Sequence, residues 1–364
     1  MAGLPVGVGG NRGPGYPRDP PNVRHRNACR HDRPGRGERS VTAIGGAVGR
    51  CAHMEGVDQT IPVDELATVA HAVAQEAAAH VRRRRPELFG ATPGHGEPPA
   101  SGTPDTRSST VRPVSTTSTV QPVSTKSTET DPVTLADTET ERLIRSLLRR
   151  ARPDDEVLGE EDGGSRAVPS GVRWVVDPID GTVNFMYGVP AYAVSVAAQV
   201  DGRSVAGVVV DVARDVTYGA TLGGGAWAAD ATGVRRTLRC TSVDRAELAL
   251  VATGFGYDAA RRRQQGRIVA ELLPRVRDVR RIGAAALDLC MVAAGAVDAH
   301  YEHGLSPWDW AAGGLIAAEA GAVVQMPPPD SRADEGHITV AVAPGVADEF
   351  LALLDELDAR RPLA

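Results

Sequence analysis

The sequence lacks the features that mark membrane, secreted or disulfide-linked proteins. No apolar run reaches the ~18 residues that a membrane-spanning helix needs, which argues against an integral membrane protein. The N-terminus has no continuous apolar stretch of the kind found in secretory signal peptides, and the four cysteines show no Cys-x-x-Cys spacing. These absences favour a reduced, cytoplasmic protein and argue against a disulfide scaffold or a zinc site.

Lysine and aromatic residues are also scarce. Of the 40 basic residues only Lys126 is a lysine, and aromatic residues make up 4% of the chain. With so few aromatics, a stacking platform for a nucleotide base or a nucleic acid is not expected. What the chain does have is a hydrophobic fraction of 42% over 364 residues, which is enough for a sizeable core, and a formal net charge of -6.

Composition divides the chain into segments. Residues 1–53 are rich in Gly, Pro and Arg and carry nine arginines against Asp19, Asp32 and Glu38, so we expect a disordered tail. Residues 54–364 have the patterning of a folded domain, interrupted at 90–125 by a Pro-, Ser- and Thr-rich stretch that we expect to be a flexible insertion. A basic arm can bind nucleic acid, but without interleaved aromatics we do not expect such a partner.

The apolar pattern predicts both helices and strands. A helix is expected over 63–85, with acids in its first turn and Arg82–Arg85 in its last, as the helix dipole favours. Further helices are expected near 137–151, 259–273, 284–295 and 310–320, and strands over 172–177, 191–200 and 204–212. Antiparallel strands followed by α/β alternation predict a mixed α/β fold of alternating α and β layers.

Three short acidic segments carry the candidate chemistry: Gly159-Glu160-Glu161-Asp162, the run from Asp177 to Phe185, and Trp308-Asp309. An isolated Asp-Gly pair is most often a surface turn. Clustered carboxylates without His or Cys ligands, however, suit Mg²⁺ rather than zinc. The amides of Gly181 and Thr182 are of a kind that binds phosphate oxygens. The residues alone therefore predict Mg²⁺-dependent phosphate chemistry.

Together, GEE at 159–161, DPIDGTVNF at 177–185 and WDWAAG at 308–313 resemble the inositol monophosphatase family. The resemblance runs from about Val63 to the end of the chain, interrupted by the insertion. It implies the layered fold of that family, a homodimer, and a Mg²⁺-dependent phosphomonoesterase that uses two metal ions to activate water. The substrate it implies is a small phosphorylated polyol, myo-inositol 1-phosphate.

The resemblance also assigns roles to particular residues. The metal ligands it implies are Glu160, Asp177, the Ile179 carbonyl, Asp180 and Asp309. Glu160 and Thr182 would orient the attacking water, Asp137 would support Thr182, and Lys126 would lie near the metal site. The substrate contacts would be the Gly181 and Thr182 amides at the phosphate and Ala285, Glu302 and Arg280 at the alcohol, next to Glu160, Ile179, Asp180 and Asp309.

Other functions share these motifs. A histidinol phosphatase, a fructose-1,6-bisphosphatase or a nucleotide 3′-phosphatase would use the same metal ligands, although the last is disfavoured by the scarcity of aromatics. A regulatory binding protein that retains the fold is a further alternative. Such a protein would be free to lose its metal carboxylates, whereas this chain keeps all four.

Overall fold

The computed structural model describes residues 62–90, 124–125 and 132–363. The tail expected at 1–53 lies outside these ranges, and so does nearly all of the insertion expected at 90–125. At the borders of that insertion, Gly90 follows the first helix, and Ser124–Thr125 pair antiparallel with Pro132–Val133. The division of the chain at residue 53 therefore stays a prediction.

Helices and strands alternate along the described chain. The helices are α1 (Val63–Phe89), α2 (Leu135–Ala151), α3 (Thr182–Tyr187), α4 (Ala259–Leu272), α5 (Ala285–Ala293), α6 (Pro307–Glu319) and α7 (Ala347–Glu356). The first nine strands are β1 (Ser124–Thr125), β2 (Pro132–Val133), β3 (Glu156–Gly159), β4 (Val172–Asp180), β5 (Ala193–Val200), β6 (Arg203–Asp211), β7 (Val216–Thr221), β8 (Gly225–Ala229) and β9 (Arg235–Thr237). The remaining strands are β10 (Leu250–Thr253), β11 (Asp278–Arg280), β12 (Ala299–His303), β13 (Val323–Gln325) and β14 (Ile338–Val342).

Seven strands form the larger sheet, in the order β3-β4-β5-β6-β7-β8-β9. Only β3 and β4 are parallel within it; the other pairs are antiparallel. Strands β4 to β6 are buried on both faces, which explains their nearly continuous runs of Val and Ala. One face packs against α1 and α2, where Leu66, Val73 and Ile144 are buried, and the other packs against α6.

Five strands form the smaller sheet, in the order β11-β10-β12-β14-β13. Parallel pairing joins β10 to β11 and β12, and antiparallel pairing joins β14 to β12 and β13. Helices α5 and α6 lie on the side facing the larger sheet, while α4 and α7 pack on the opposite side around Leu272, Phe350 and Leu354. The layers therefore run helix, sheet, helix, sheet, helix, and the predicted mixed α/β layered fold is confirmed.

Helix α1 differs from its sequence-based prediction at the C-terminal end. It continues past Arg85 through Pro86 to Phe89, so the four arginines do not occupy its last turn. Near the helix end Pro86 removes a single backbone hydrogen bond, and the edge-to-face contact between Phe89 and Phe185 at 5.5 Å stabilises the extra turn. Tertiary packing thus moves the helix end.

The arginine run of α1 is not a free basic patch. Arg84 pairs with Glu139 of α2 at 2.7 Å, and Arg82 pairs with Asp215 at 2.9 Å. Arg85 is buried and donates to the carbonyl oxygens of Phe185 and Gly90, both at 3.1 Å. These arginines fasten α1 to its neighbours. Within the described residues, no helix is long and apolar enough to cross a membrane.

Candidate active site

Two of the acidic residues, Asp177 and Asp180, converge because β4 is irregular. The sequence predicts a strand that ends at Asp177, but β4 continues to Asp180, with a shift of register between them. In a regular strand, residues three apart point to opposite faces. The irregularity and Pro178, which cannot donate to the ladder, allow both carboxylates to approach Asp309, with ligand atoms of all three within 4.8 Å of one another.

The N-terminus of α5 lies against the Asp180 side chain. The Asp180 carboxylate accepts hydrogen bonds from the amides of Ala285 at 3.2 Å and Ala286 at 2.8 Å. Burial raises the pKa of Asp180 to about 7; the Ala286 amide opposes the rise, and the charge of Glu160 adds to it. A metal ion would oppose this rise, because its positive charge would attract the ionised carboxylate. Ala285, expected at the substrate alcohol, thus holds a metal-site carboxylate with its amide.

Asp309 is held by a capping box at the start of α6. That helix begins at Pro307, earlier than the sequence predicts, because Ser306 and Asp309 satisfy each other's backbone amides. The Ser306 amide donates to Asp309 at 2.7 Å, and the hydroxyl of Ser195 in β5 donates to the Trp308 carbonyl at 3.2 Å. Burial, followed by the charges of Glu160 and Asp180, raises the pKa of Asp309 well above its usual range.

Asp137 and Thr182 lie together although they are remote in sequence. The Thr182 hydroxyl is 2.9 Å from Asp137 Oδ1 and 3.1 Å from the Ile179 carbonyl oxygen, both of which are acceptors. The other oxygen of Asp137 accepts from the Thr134 amide at 2.9 Å and from the Thr134 hydroxyl. Asp137 is fully buried, so these contacts fix the direction in which the Thr182 hydroxyl points.

Gly181 makes the sharp passage from β4 into α3. Its φ of 91° is in the left-handed region, and a Cβ there would lie 2.9 Å from the Ala191 carbonyl oxygen. Asn184 reinforces the turn by donating to the carbonyls of Ala191 and Ile282, at 2.8 and 2.9 Å. The amides of Gly181 and Thr182 therefore follow directly after the carboxylate cluster.

Glu160 lies within electrostatic range of the cluster, since its charge raises the pKa of both Asp180 and Asp309. Its loop is organised by a residue that the sequence analysis missed. The buried carboxylate of Glu141 in α2 accepts from the amides of Glu161 at 2.7 Å and Asp162 at 2.9 Å. The sequence feature that could have identified Glu141 is an acid on the apolar face of α2, four residues before Arg145.

Glu302 lies on β12, against Gly254. A Cβ on Gly254 would meet the Glu302 carboxylate at 2.1 Å, so glycine is what makes room for that side chain. Burial raises the pKa of Glu302 to about 8, against the opposing charge of Arg281. Arg280 is exposed and bonds Asp278 at 2.6 Å and the Val279 carbonyl, so Arg281, and not Arg280, is the arginine that acts on the buried acids.

Lys126 lies outside the described residues, and its expected place near the metal site stays a prediction. The structure brings together Asp177, Asp180 and Asp309, places Glu160 beside them, and joins Thr182 to Asp137. Carboxylate oxygens are the donors of this cluster, which is the donor set preferred by Mg²⁺ and unlike that of a structural zinc site.

Known proteins resemble this chain in sequence and in fold. Residues 62–357 match the model of the inositol monophosphatase family. An inositol-1-monophosphatase from Mycobacterium leprae is 51% identical over 304 residues, which cover 82% of this chain and 97% of the relative. A more distant relative, named Nus factor SuhB, from Escherichia coli, is 40% identical over 195 residues, or 53% of this chain and 71% of that protein.

A solved structure shows the same fold. Mycobacterium tuberculosis SuhB has 47% sequence identity and a TM-score of 0.64, with 82% of this chain and 98% of that chain covered. The family match spans most of the chain and includes every acidic segment on which the site is built. The chain therefore belongs to the inositol monophosphatase family.

Proposed function

We propose that the protein is a Mg²⁺-dependent phosphomonoesterase that hydrolyses myo-inositol 1-phosphate. The observation that carries this proposal is the convergence of Asp177, Asp180 and Asp309 within 4.8 Å, in a member of the inositol monophosphatase family. Hydrolysis of a phosphomonoester requires positive charge at the phosphate oxygens, an oriented water and a stabilised leaving alkoxide. The residues around the cluster match these three needs.

Metal binding is supported by the chemistry of the donors. The three carboxylates present oxygen atoms only, and their mutual repulsion and burial favour a multivalent cation among them. Glu160 and the Ile179 carbonyl would complete the ligand set. When bound, Mg²⁺ would lower the pKa of a water molecule and neutralise charge on the phosphate and the leaving oxygen.

Thr182 and Asp137 supply the orientation of the water. An ionised Asp137 has no proton to donate, so it accepts the hydrogen bond of the Thr182 hydroxyl at 2.9 Å. The oxygen lone pairs of Thr182 are then free to accept a hydrogen bond from a water molecule at the metal cluster. Asp137 acts through Thr182 and is a positioning residue, while Glu160 would accept a hydrogen bond from the other O–H of that water.

Recognition of a polyol is supported by the groups on the other side of the cluster. Glu302 offers a carboxylate on which hydroxyl groups of the alcohol can donate. The Gly181 and Thr182 amides would receive the phosphate, next to Asp180. Among the described residues, Arg280 is turned to Asp278, so its contact with substrate would require that ion pair to open.

A phosphate-release assay tests the proposal. With Mg²⁺ present, we expect turnover of myo-inositol 1-phosphate to exceed that of histidinol phosphate, fructose 1,6-bisphosphate and adenosine 3′,5′-bisphosphate, and EDTA to abolish it. A clear preference for any other compound would overturn the substrate assignment. If the pure protein released no phosphate from any of the four, the regulatory alternative named by its Nus factor relatives would gain support.

A variant of Asp177 tests the assignment of the metal ligands. Asp177→Asn should abolish turnover while leaving the circular dichroism spectrum unchanged, because the amide keeps the shape of the carboxylate and loses its charge. Asp298→Asn is a matched control: Asp298 is a half-buried carboxylate that accepts from the Thr241 hydroxyl at 2.6 Å and the Leu250 amide at 2.7 Å. Near-native turnover of the Asp177 variant would reject the assignment.

The family resemblance also supports a cytoplasmic homodimer as the working form. Light scattering of the purified protein would give a mass twice that of the 38.1 kDa chain. A monomer at assay concentration that retains full activity would contradict the dimer.

A further inference from the structure

A second cluster of ligand-type residues lies between α5 and β12. Asp288 of α5 and His300 and Glu302 of β12 place ligand atoms within 4.8 Å of one another. His300 and Glu302 are two residues apart, so they share the face of β12 on which α5 packs. Tyr301, between them, faces the opposite side and contacts Phe350 of α7.

The cluster contains buried polar groups that protein partners leave unsatisfied. Asp288 is 1% exposed and His300 is 0% exposed. Within the described residues, neither Asp288 carboxylate oxygen nor either His300 ring nitrogen has a hydrogen-bond partner. Buried polar atoms almost always have a partner, so four unsatisfied atoms on two adjacent side chains point to a ligand that satisfies them together.

The spacing of these atoms fits an ion better than a hydrogen bond. His300 Nδ1 and Asp288 Oδ2 are 4.0 Å apart, which is too long for a hydrogen bond. Two protein ligands at about 2.1 Å from one metal ion can be up to about 4.2 Å apart, so a single ion spans this gap. The third ligand, Glu302, is partly exposed, which gives an ion a route of entry to the buried pair.

The charge states of the three residues suit a cation. Burial lowers the pKa of His300 to about 3, so the imidazole is neutral and its lone pair is available. Burial and the charges of Glu302 and Asp180 raise the pKa of Asp288 well above its usual range. Arg281 opposes this rise, but it is exposed. The pair of acids thus lacks a buried positive partner.

We propose that Asp288, His300 and Glu302 form a second divalent-cation site, with one nitrogen and two oxygen donors, that takes a transition ion such as Mn²⁺. The mixed donor set distinguishes it from the oxygen-only cluster at Asp177, since imidazole nitrogen favours ions of the transition series over Mg²⁺. An ion held here would bind a Glu302 oxygen and so fix the position of that carboxylate.

Pulsed electron paramagnetic resonance of the Mn²⁺-loaded full-length protein tests this site. We expect nitrogen-14 modulation of the Mn²⁺ signal, which an oxygen-only site does not produce. Excess Mg²⁺ should displace Mn²⁺ from the Asp177 cluster and leave the nitrogen-modulated signal in place. The readout needs no substrate, so it stands apart from the phosphatase assay. Absence of nitrogen modulation in the wild-type protein at saturating Mn²⁺ would overturn the proposal.

Three variants test which residues bind the Mn²⁺ ion that gives the nitrogen modulation. His300→Gln should abolish the nitrogen modulation, and Asp288→Asn should lower the Mn²⁺ bound per chain by one in equilibrium dialysis. His303→Gln is the control: His303 is an equally buried histidine of β12, but its Nε2 already contacts the Ala359 carbonyl oxygen at 2.6 Å, so the modulation should persist. Modulation that survives in His300→Gln, or Mn²⁺ content unchanged in Asp288→Asn, rejects this ligand set.

Discussion

Glu141 shows how a single buried side chain organises the loop that carries a metal ligand. Besides its two amide donors, it pairs with Arg145, whose guanidinium lies 2.8 Å from it and also donates to the Val157 carbonyl at 3.2 Å and to the Gly163 carbonyl. A Cβ on Gly159 would lie 2.4 Å from the Glu141 carboxylate. The glycine that precedes Glu160 is therefore required by the carboxylate behind it.

Glu141→Gln should weaken the active site without removing any residue that touches substrate. Glutamine keeps one acceptor oxygen and replaces the other with an NH2 group, which cannot accept, so the loop of Glu160 loses one of its two anchoring hydrogen bonds. Loss of such a supporting contact typically costs about 10–100-fold in metal affinity or activity. We expect the Mg²⁺ concentration for half-maximal phosphate release to rise.

Glu139→Gln is the control for that experiment. Glu139 lies on the same helix but pairs with Arg84 of α1, away from the Glu160 loop. An unchanged Mg²⁺ dependence in Glu141→Gln, or an equal rise in both variants, would show that Glu141 does not position the site.

The pKa of His71 in α1 depends on its burial and on a nearby positive charge. It lies 5.9 Å from the Trp227 ring, over which the Arg235 guanidinium packs at 3.9 Å. Burial, followed by the charge of Arg235, lowers the pKa of His71 below 6.5. Because the unfolded chain then binds this proton more readily than the folded one, the free energy of unfolding falls as pH drops below 6.5.

Arg235→Gln should raise the pKa of His71 towards its ordinary value, as measured by NMR titration, and should lessen the loss of stability in acid. Arg236→Gln removes the neighbouring charge and should leave the pKa of His71 nearly unchanged. A His71 pKa that is the same in wild type and Arg235→Gln would refute the electrostatic contribution.

At the scale of elements, α6 carries Asp309 and must approach the larger sheet closely. Gly207 of β6 makes this approach possible, because a Cβ there would lie 3.0 Å from the Ala312 Cα and 3.1 Å from its carbonyl oxygen. Both are backbone atoms, which cannot rotate away as a flexible side chain does. The packing of α6 on β6 therefore sets how far Asp309 reaches towards Asp177 and Asp180.

Gly207→Ala should displace α6 and destabilise the protein by about 1–3 kcal/mol, the usual cost of overpacking a core. Thermal unfolding checks the loss. Gly266→Ala is the opposite case: Gly266 lies inside α4 with open space around it, so alanine should stabilise by about 0.5–1 kcal/mol. Equal melting temperatures for the two variants would contradict this account of the α6 contact.

For the whole molecule, three hydrophobic cores of described residues fill the four interfaces between the five layers, because one core lines both sides of α5 and α6. The acidic cluster is assembled from β4 and α6 near α5. Except for Lys126, every residue assigned to the site belongs to the described ranges, and the family match begins at residue 62. The residues proposed for catalysis, apart from Lys126, thus lie in the patterned part of the chain.

A protein that begins at residue 54 should keep the phosphatase activity of the full chain, within about twofold, because no residue assigned to the site precedes it. Steady-state phosphate release by the two forms, compared at equal concentration and Mg²⁺, checks this. A large loss of activity on truncation would assign residues 1–53 a part in catalysis.

Much of the fold was predictable because apolar periodicity reflects burial directly. The helices near 137–151, 259–273, 284–295 and 310–320, the strands between 172 and 212 and the alternating layers follow from it, whereas β13 and β14 of the smaller sheet were not predicted. The ends of the helices and strands were not predictable in this way. Helix α1 continues to Phe89 because of an aromatic contact, and β4 reaches Asp180 through a register shift. Such ends depend on neighbours that are distant in sequence, which periodicity does not contain.

The sequence by itself determined the family and the acidic residues of the site, because three motifs carry chemically distinctive groups in a fixed order. Only the tertiary structure decided which buried charges meet. Glu141 behind the Glu160 loop, the charge of Arg281 near Glu302, and the Asp288–His300 pair all depend on the approach of separate elements. The physical reason is that burial and electrostatic coupling depend on distances in space, and spacing along the chain does not specify those distances.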